Sequence, residues 1–307
     1  MSSQVHRCNG RIYDRNENGD LDITDNTNLV AAMYVRKQGS YTENQIYPYV
    51  RLSDLRQDLI EKSRKLASVQ RPNHPWAGID DFELLRSAGL FLKDYQSGQE
   101  GFTLAAVLLL GTDELIRSVL PHHRTDAILR KEDVDRYDDR DDIRTNLIES
   151  YERLRSFISK HLADKFYLEK DQRISLRDII FREVISNLLI HREFTNPYPA
   201  KLVILRDCVY TENSNKPHGI GVIDPSSFSP YPKNPTIAKF FKEIGWVDEL
   251  GSGVRNVHKY SLLYSGAKPA FVEGDVFKAT IPLVPQVTPQ DTPQDKERIT
   301  SLLRFCE

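Results

Sequence analysis

The sequence predicts an α+β fold, with helices laid on one face of a mixed sheet, and three observations carry that expectation. Apolar residues recur at helical spacing through residues 143–162, where Leu147, Ile148, Tyr151, Leu154, Phe157 and Ile158 fall on one side. A second helix is expected over 176–192, opened by Ser175 as its N-cap with Asp178 three residues on to complement the helix dipole. β-rich runs then follow at 201–206 and 209–212 about an Arg206-Asp207 turn. A closing hairpin is expected at 270–272 and 276–283, around Glu273-Gly274-Asp275.

The remaining elements are read in chain order. Residues 11–15 read as a strand, residues 16–20 as a turn, and residues 24–36 as a helix with Leu29, Val30 and Met33 on one face. A charged helix is expected over 52–69, ended by the loop at 71–75, and a short helix over 80–87. Residues 91–95 and 102–110 read as a hairpin about the Gly-rich turn at 97–101, so that helix, turn and hairpin together form a winged-helix-like or linking module. The apolar run 104–110 (LAAVLLL) suits either a buried strand or a core helix. The charge run at 133–142 reads as a solvated loop. Helices are expected over 236–244, after Asn234-Pro235, and over 253–264. The Thr-Pro-Gln-Asp repeats at 286–295 read as an extended linker into a new helix at 296–306, so a further domain is expected beyond it.

Composition bounds the function classes. Of 307 residues, 39% are hydrophobic and 28% charged, and the formal net charge is −2, so no bulk polycation draws the chain to nucleic acid. Lys62, Arg64, Lys65 and Arg71 form only a modest basic cluster for DNA. Cys8, Cys208 and Cys306 are too dispersed for a disulfide framework or a zinc site, and Cys208 sits in an apolar run as a core residue. No apolar stretch approaches the ~18 residues of a membrane span, and the N-terminus lacks the apolar core of a signal peptide, so a cytoplasmic location is expected.

Two motifs carry chemistry. Glu183, Asn187 and His191 are spaced four residues apart and share a helix face, opposite Val184, Ile185, Leu188 and Leu189. Such a stripe suits a water, a cation and a phosphate: the amide oxygen of Asn187 is a hard ligand for Mg²⁺, and Glu183 can orient or deprotonate a water. The second motif, Gly251-Ser252-Gly253, opens a helix, where bare N–H groups and the positive dipole end favour phosphate. There is no Gly-x-x-x-x-Gly-Lys-Ser/Thr loop, so that route to ATP is absent. On spacing alone, a solvated helix face and a flexible loop explain these motifs equally well.

Together they resemble the divergent GHKL-type ATP-binding domain of transcriptional regulators with an AlbA-type (Schlafen-like) N-terminal domain, some of which carry a RecG-like helicase label. The resemblance rests on residues 182–194, on Glu212-Asn213, on Pro232-Lys233-Asn234-Pro235 with Ile237, Ala238 and Phe241, and on residues 245–253. It implies an α/β sandwich over 146–283, preceded by the tail of an AlbA-type domain (1–57) and the linking module (58–145), and followed by the linker and the start of a winged helix (284–307). It implies ATP and Mg²⁺ as cofactors, with Glu183 as general base and Asn187 as metal ligand. His191 and Arg192 would lie near the phosphates, Asn213 at the adenine amino group, and Gly251, Ser252 and Gly253 in the phosphate loop. The chain departs from the family where Glu212-Asn213-Ser214-Asn215 replaces an Asp-x-Gly-x-Gly box, and a neutral amide is a weaker partner for adenine than a carboxylate. Gly219 and Gly221 are displaced from that box and read as structural. The implied function is nucleotide sensing by a transcriptional regulator, with DNA contacted through flanking domains and a homodimer allowed. An ATPase acting on nucleic acid and a non-binding scaffold are the alternatives.

Overall fold

In the computed structural model, the described residues are 7–16, 19–37, 41–95, 98–132, 136–215, 217, 221–224, 232–247 and 253–283. Gly219, Gly251, Ser252, Cys306 and the expected linker and helix at 286–306 lie outside them. The chain begins with a hairpin of β1 (Tyr13–Asn16) and β2 (Gly19–Asp22), followed by α1 (Thr27–Lys37). Ile12, Ile23 and Met33 form a small cluster here, separate from the main core. The expected strand and helix are present; β2, beyond the turn, was not anticipated.

The linking module begins ahead of the boundary expected at residue 58, since β3 (Ile46–Tyr47) pairs within it, and also contains α2 (Gln57–Gln70), α3 (Asp81–Ser87), β4 (Phe91–Lys93) and β5 (Glu100–Thr103). Its three strands pair antiparallel in the order β3-β5-β4. The hairpin stops early. Residues 104–110, expected as its second half, form helix α4 (Leu104–Leu110), followed by α5 (Asp113–Val119). Thr103 ends β5 and caps α4 by accepting from the Ala106 N–H at 3.3 Å. Every residue of α4 is fully enclosed, and an element buried on all sides shows no polar face from which to read its period.

The main sheet draws on both halves of the chain. Its strands are β6 (Thr125–Arg130), β7 (Asp139–Ile143), β10 (Ala200–Leu205), β11 (Cys208–Ser214), β12 (Gly221–Val222), β13 (Ala270–Glu273) and β14 (Val276–Pro282), in the order β12-β13-β14-β11-β10-β6-β7. Only β10 and β6 run parallel; the other pairs are antiparallel. The fold is therefore mixed α+β, but the sheet starts at residue 125, ahead of the boundary expected at 146. β7 also corrects the reading of 133–142 as a loop. Its sequence, DRDDI, has no apolar face because each charged side chain finds an ion-pair partner instead: Lys160 for Asp139, Asp126 for Arg140, Arg153 for Asp141 and Arg144 for Asp142.

Helices α6 (Leu147–His161), α7 (Leu176–Ile190) and α9 (Gly253–Ser265) cover one face of this sheet, and the short hairpin β8 (Leu168–Glu169) and β9 (Gln172–Arg173) joins the first two. All six residues expected on the apolar stripe of α6 are buried, and Asn146 caps it. Ser175 caps α7 as expected, accepting from the Asp178 N–H at 3.1 Å. Period-two alternation turns Ala127, Leu129, Leu202, Ile204, Val209, Ala279 and Ile281 toward the helices, where they join a continuous core running from Leu55 to Ile281. Cys208 is buried, as expected.

One further helix, α8 (Pro235–Glu243), ties the linking module to the sheet domain. The carboxylate of Glu43, fully enclosed, accepts from the N–H groups of Thr236 (2.7 Å) and Ile237 (3.0 Å) and so caps α8 from nearly two hundred residues away. At the other end Glu243 accepts from the buried His74, whose Nε2 lies 2.7 Å from Oε2. Asn234, before Pro235, donates to the carbonyls of Ile190 (2.6 Å) and Arg192 (2.8 Å) and fixes the end of α7.

Burial pushes the Glu43 carboxyl above its ordinary value of 4.5, against the opposing effect of the two N–H groups. The folded state thus holds a proton there more readily than the unfolded chain, so the contribution of Glu43 to stability is fullest below pH 4.5 and declines as pH rises through the raised value. We expect Glu43→Ala to cost about 1–3 kcal/mol in urea unfolding, because two helix-start donors lose their acceptor. The loss should be greater at pH 5 than at pH 8; an unchanged midpoint at both would exclude the latch.

Candidate functional site

Helix α7 brings the acid, the amide and the imidazole to one side, as their spacing predicts. Glu183 is 2% exposed and its Oε1 accepts from Arg182 at 3.4 Å, while Asn187 is half-buried one turn on. Against them stands the first turn of α9. A Cβ placed on Gly253 would lie 2.7 Å from Glu183 Oε2 and 3.8 Å from Asn187 Nδ2, so glycine is what lets the two helices meet here. Gly253, the last residue of the glycine turn, therefore faces Glu183 and Asn187 of the stripe.

The third corner is β11. Asn213, 1% exposed, donates from Nδ2 to the His191 carbonyl at 2.9 Å, and its Oδ1 is buried without a partner among the described residues. That orphaned oxygen is an acceptor held in place on the inner end of the strand. An exocyclic amino group on a base is the kind of donor it lacks. His191 closes α7 at φ −94°, ψ 22°; burial, reinforced by the nearby Lys233 ammonium and opposed by Glu273, lowers its imidazole to about 4, so it is neutral at pH 7.

Lys233 and Glu273, which the sequence reading did not single out as site residues, pair at 3.1 Å beside His191, with side chains 14% and 15% exposed. Burial lowers Lys233, with Glu273 opposing. Asn215 extends the group by donating to Glu273 at 3.3 Å and to the Gly274 carbonyl at 3.0 Å. The signal was faint: Lys233 precedes Asn234-Pro235, a helix start, and Glu273 lies at a hairpin turn, and only the tertiary fold joins them.

Arg192 is placed away from the stripe. Its guanidinium is enclosed, donates from Nη1 to the Arg124 carbonyl at 2.9 Å and lies over the Phe194 ring. The basic cluster of α2 is largely taken up internally. Lys62 pairs with Glu152 at 2.5 Å and Lys65 with Glu61 at 2.8 Å; Arg64 binds Asp81 and the carbonyls of Trp76 and Ile79. Gly221 sits in β12 with φ +119°, a conformation that favours glycine, in keeping with the structural role expected for it.

No group of three or more His, Cys, Asp or Glu that could hold a metal occurs among the described residues. Asn187, half-buried on α7, is the hard amide-oxygen ligand that the stripe could offer a Mg²⁺ shared with phosphates and water. Nor does any helix among the described residues have the length and apolar character to cross a membrane.

A family model described as a domain of unknown function (DUF8451) matches residues 31–126, from within α1 to the start of β6. No curated protein matches the chain. Among solved structures, the DIP2311 protein from Corynebacterium diphtheriae is similar, with a TM-score of 0.60 at 17% identity over 97% of this chain and 60% of that one. At that identity the likeness shows a shared fold, and the chain spans 60% of that protein's length.

The contact at Gly253 yields a sign test. In an ordinary helix, Gly→Ala stabilises by about 0.8–1.0 kcal/mol. Here Gly253→Ala should lower the melting temperature, and the loss should shrink in the Glu183→Ala background, where the obstructing carboxylate is gone. A melting temperature that rises in Gly253→Ala would show that the two helices do not meet as described.

Proposed function

We propose that this chain is a nucleotide-binding regulatory protein with ATP and Mg²⁺ as its ligand. The carrying observation is the meeting of Gly253 with Glu183 and Asn187 on α7, beside the unengaged Oδ1 of Asn213 on β11. The two-layer arrangement, with α7 and α9 on one face of a mixed sheet, agrees with the GHKL-type resemblance of the sequence. In this reading Asn187 holds the metal, Asn213 accepts from the base, and the helix start at 251–253 receives the phosphates. The neutral His191 and the Lys233–Glu273 pair line the approach. ATP brings the triphosphate charge that Mg²⁺ and a helix start can offset. The chain's own residues orient it and exclude water.

Binding without rapid turnover is favoured over an ATPase cycle, because Glu183 is enclosed against α9 and shielded from bulk water. The same close contact supports a second reading, a scaffold that has lost its ligand. For the regulatory role, α8 is the natural link: Asn234 at its start holds the end of α7, and the helix is fastened to the linking module through Glu43 and His74. We place the protein in the cytoplasm. We assign any DNA contact to the winged-helix-like module or to flanking AlbA-type and winged-helix domains, and a homodimer is compatible with this reading.

Mg-ATP and a non-hydrolysable analogue should raise the melting temperature equally and saturably, and Asn187→Ala should remove the Mg²⁺ dependence. Phosphate release that vanishes in Glu183→Ala would instead establish an ATPase. The absence of any shift with any nucleotide would leave the scaffold reading.

A further inference from the structure

Arg192 is the largest fully enclosed side chain among the described residues, and it carries a charge without a counter-charge. Burial lowers its guanidinium only to about 10, so it is a cation at neutral pH. Nη1 is satisfied by the Arg124 carbonyl, but Nε and Nη2 have no partner among the described residues. Those two atoms form one edge of the guanidinium plane, the paired donor that grips anions side-on.

Two more orphaned atoms lie in the adjoining segment. His123 and Thr125 flank Arg124, and extended-chain alternation turns both to the helix side, as it does Ala127 and Leu129 further along β6. Thr125 Oγ1 and His123 Nδ1 are both buried without a partner. His123 Nε2 lies 3.1 Å from the Thr145 carbonyl and so bears the ring proton, and Arg192 is near enough to disfavour a second one. The acid nearest in sequence, Asp126, belongs to the other face of β6, where Arg124 and Arg140 hold it at 2.7 and 2.8 Å. Glu193 is turned to Thr195, whose Oγ1 donates to it at 2.6 Å.

An isolated buried charge costs several kcal/mol, and a cation enclosed with three unfilled donors and no acid calls for an anion. We propose that Arg192 and Thr125, with His123 at the far wall, enclose a binding site for one small monoanion of chloride size. The guanidinium edge and the Thr125 hydroxyl supply its donors, and the bare Nδ1 of His123 accepts from a water that completes the ion's shell. The surrounding side chains, Arg192, Thr125, His123 and Phe194, are exposed by only 1, 1, 4 and 2%, so the ion is shielded from bulk water and a small one is favoured. The guanidinium lies about 13 Å along α7 from Glu183, at ~1.5 Å per residue, and is turned to Arg124, whereas the adjoining His191, at the nucleotide site, is turned to Lys233 and Glu273.

Two measurements on the full chain test this. Crystals grown in bromide should show an anomalous peak between Arg192 Nε and Nη2. In solution, replacing methanesulfonate by chloride at constant ionic strength should raise the melting temperature by about 2 °C per tenfold increase once the site saturates. Arg192→Met should abolish that response while leaving any Mg-ATP shift intact. Water alone at the guanidinium edge, with a melting temperature indifferent to chloride, would overturn the proposal. Should Arg192→Met fail to fold, the bromide peak in the natural sequence decides by itself.

Discussion

Helix α7 is asked to satisfy two demands that conflict. It is enclosed by α6, α8, α9 and the sheet, so that ten of its fifteen residues are buried, yet it also carries the acid, amide and imidazole of the candidate site. A helix with so little exposed surface has no cheap place for polar side chains, and each must meet a partner or remain unsatisfied. Glu183 is held by Arg182 and set against α9; the His191 carbonyl is taken by Asn213. The residues that finish the helix, Ile190 and Arg192, give their carbonyls to Asn234. The placement of β11, α8 and α9 follows from these attachments as much as from apolar packing.

Helix α8 shows how a short element becomes a joint. Nine residues cannot hold themselves in a helix in water, and stability has to come from what they touch. Phe240 packs on Trp76, Phe241 meets both Tyr151 and Trp246, and Trp246 stacks on Tyr151 with centroids 4.1 Å apart. Linking module, bundle and site loop thus share one aromatic cluster. A shift in any of the three has to be accommodated by the others, because a close-packed interior has few intermediate arrangements.

Much of the sheet domain was legible in the sequence because its elements carry local signals. The amphipathic stripe of α6, the Ser175 cap of α7, the Asn-Pro entry to α8 and the Glu273-Gly274-Asp275 turn are each written within a few residues. What escaped was non-local. β6 was missed and β7 taken for a loop because neither shows alternation, the first being covered on both faces and the second stabilised by ion pairs to distant residues. The run 104–110 suited helix and strand alike until its surroundings were known. In the candidate site, the helical stripe and Gly253 were found from spacing, and Asn213 through the family resemblance. Lys233, Glu273 and the Glu43 cap were not, since their partners lie forty to nearly two hundred residues away and only the fold joins them.

The charged outer strand β7 has a consequence for how the molecule meets others. A strand at the margin of a sheet offers unpaired backbone groups to any passing chain, and natural proteins blunt such margins with charge. Here Asp139, Arg140, Asp141 and Asp142 are each drawn back into ion pairs with the body of the domain. A foreign strand docking there would have to break that hem one pair at a time. The opposite margin is blunted in another way, by brevity: β12 is only two residues long and offers a docking chain few backbone groups.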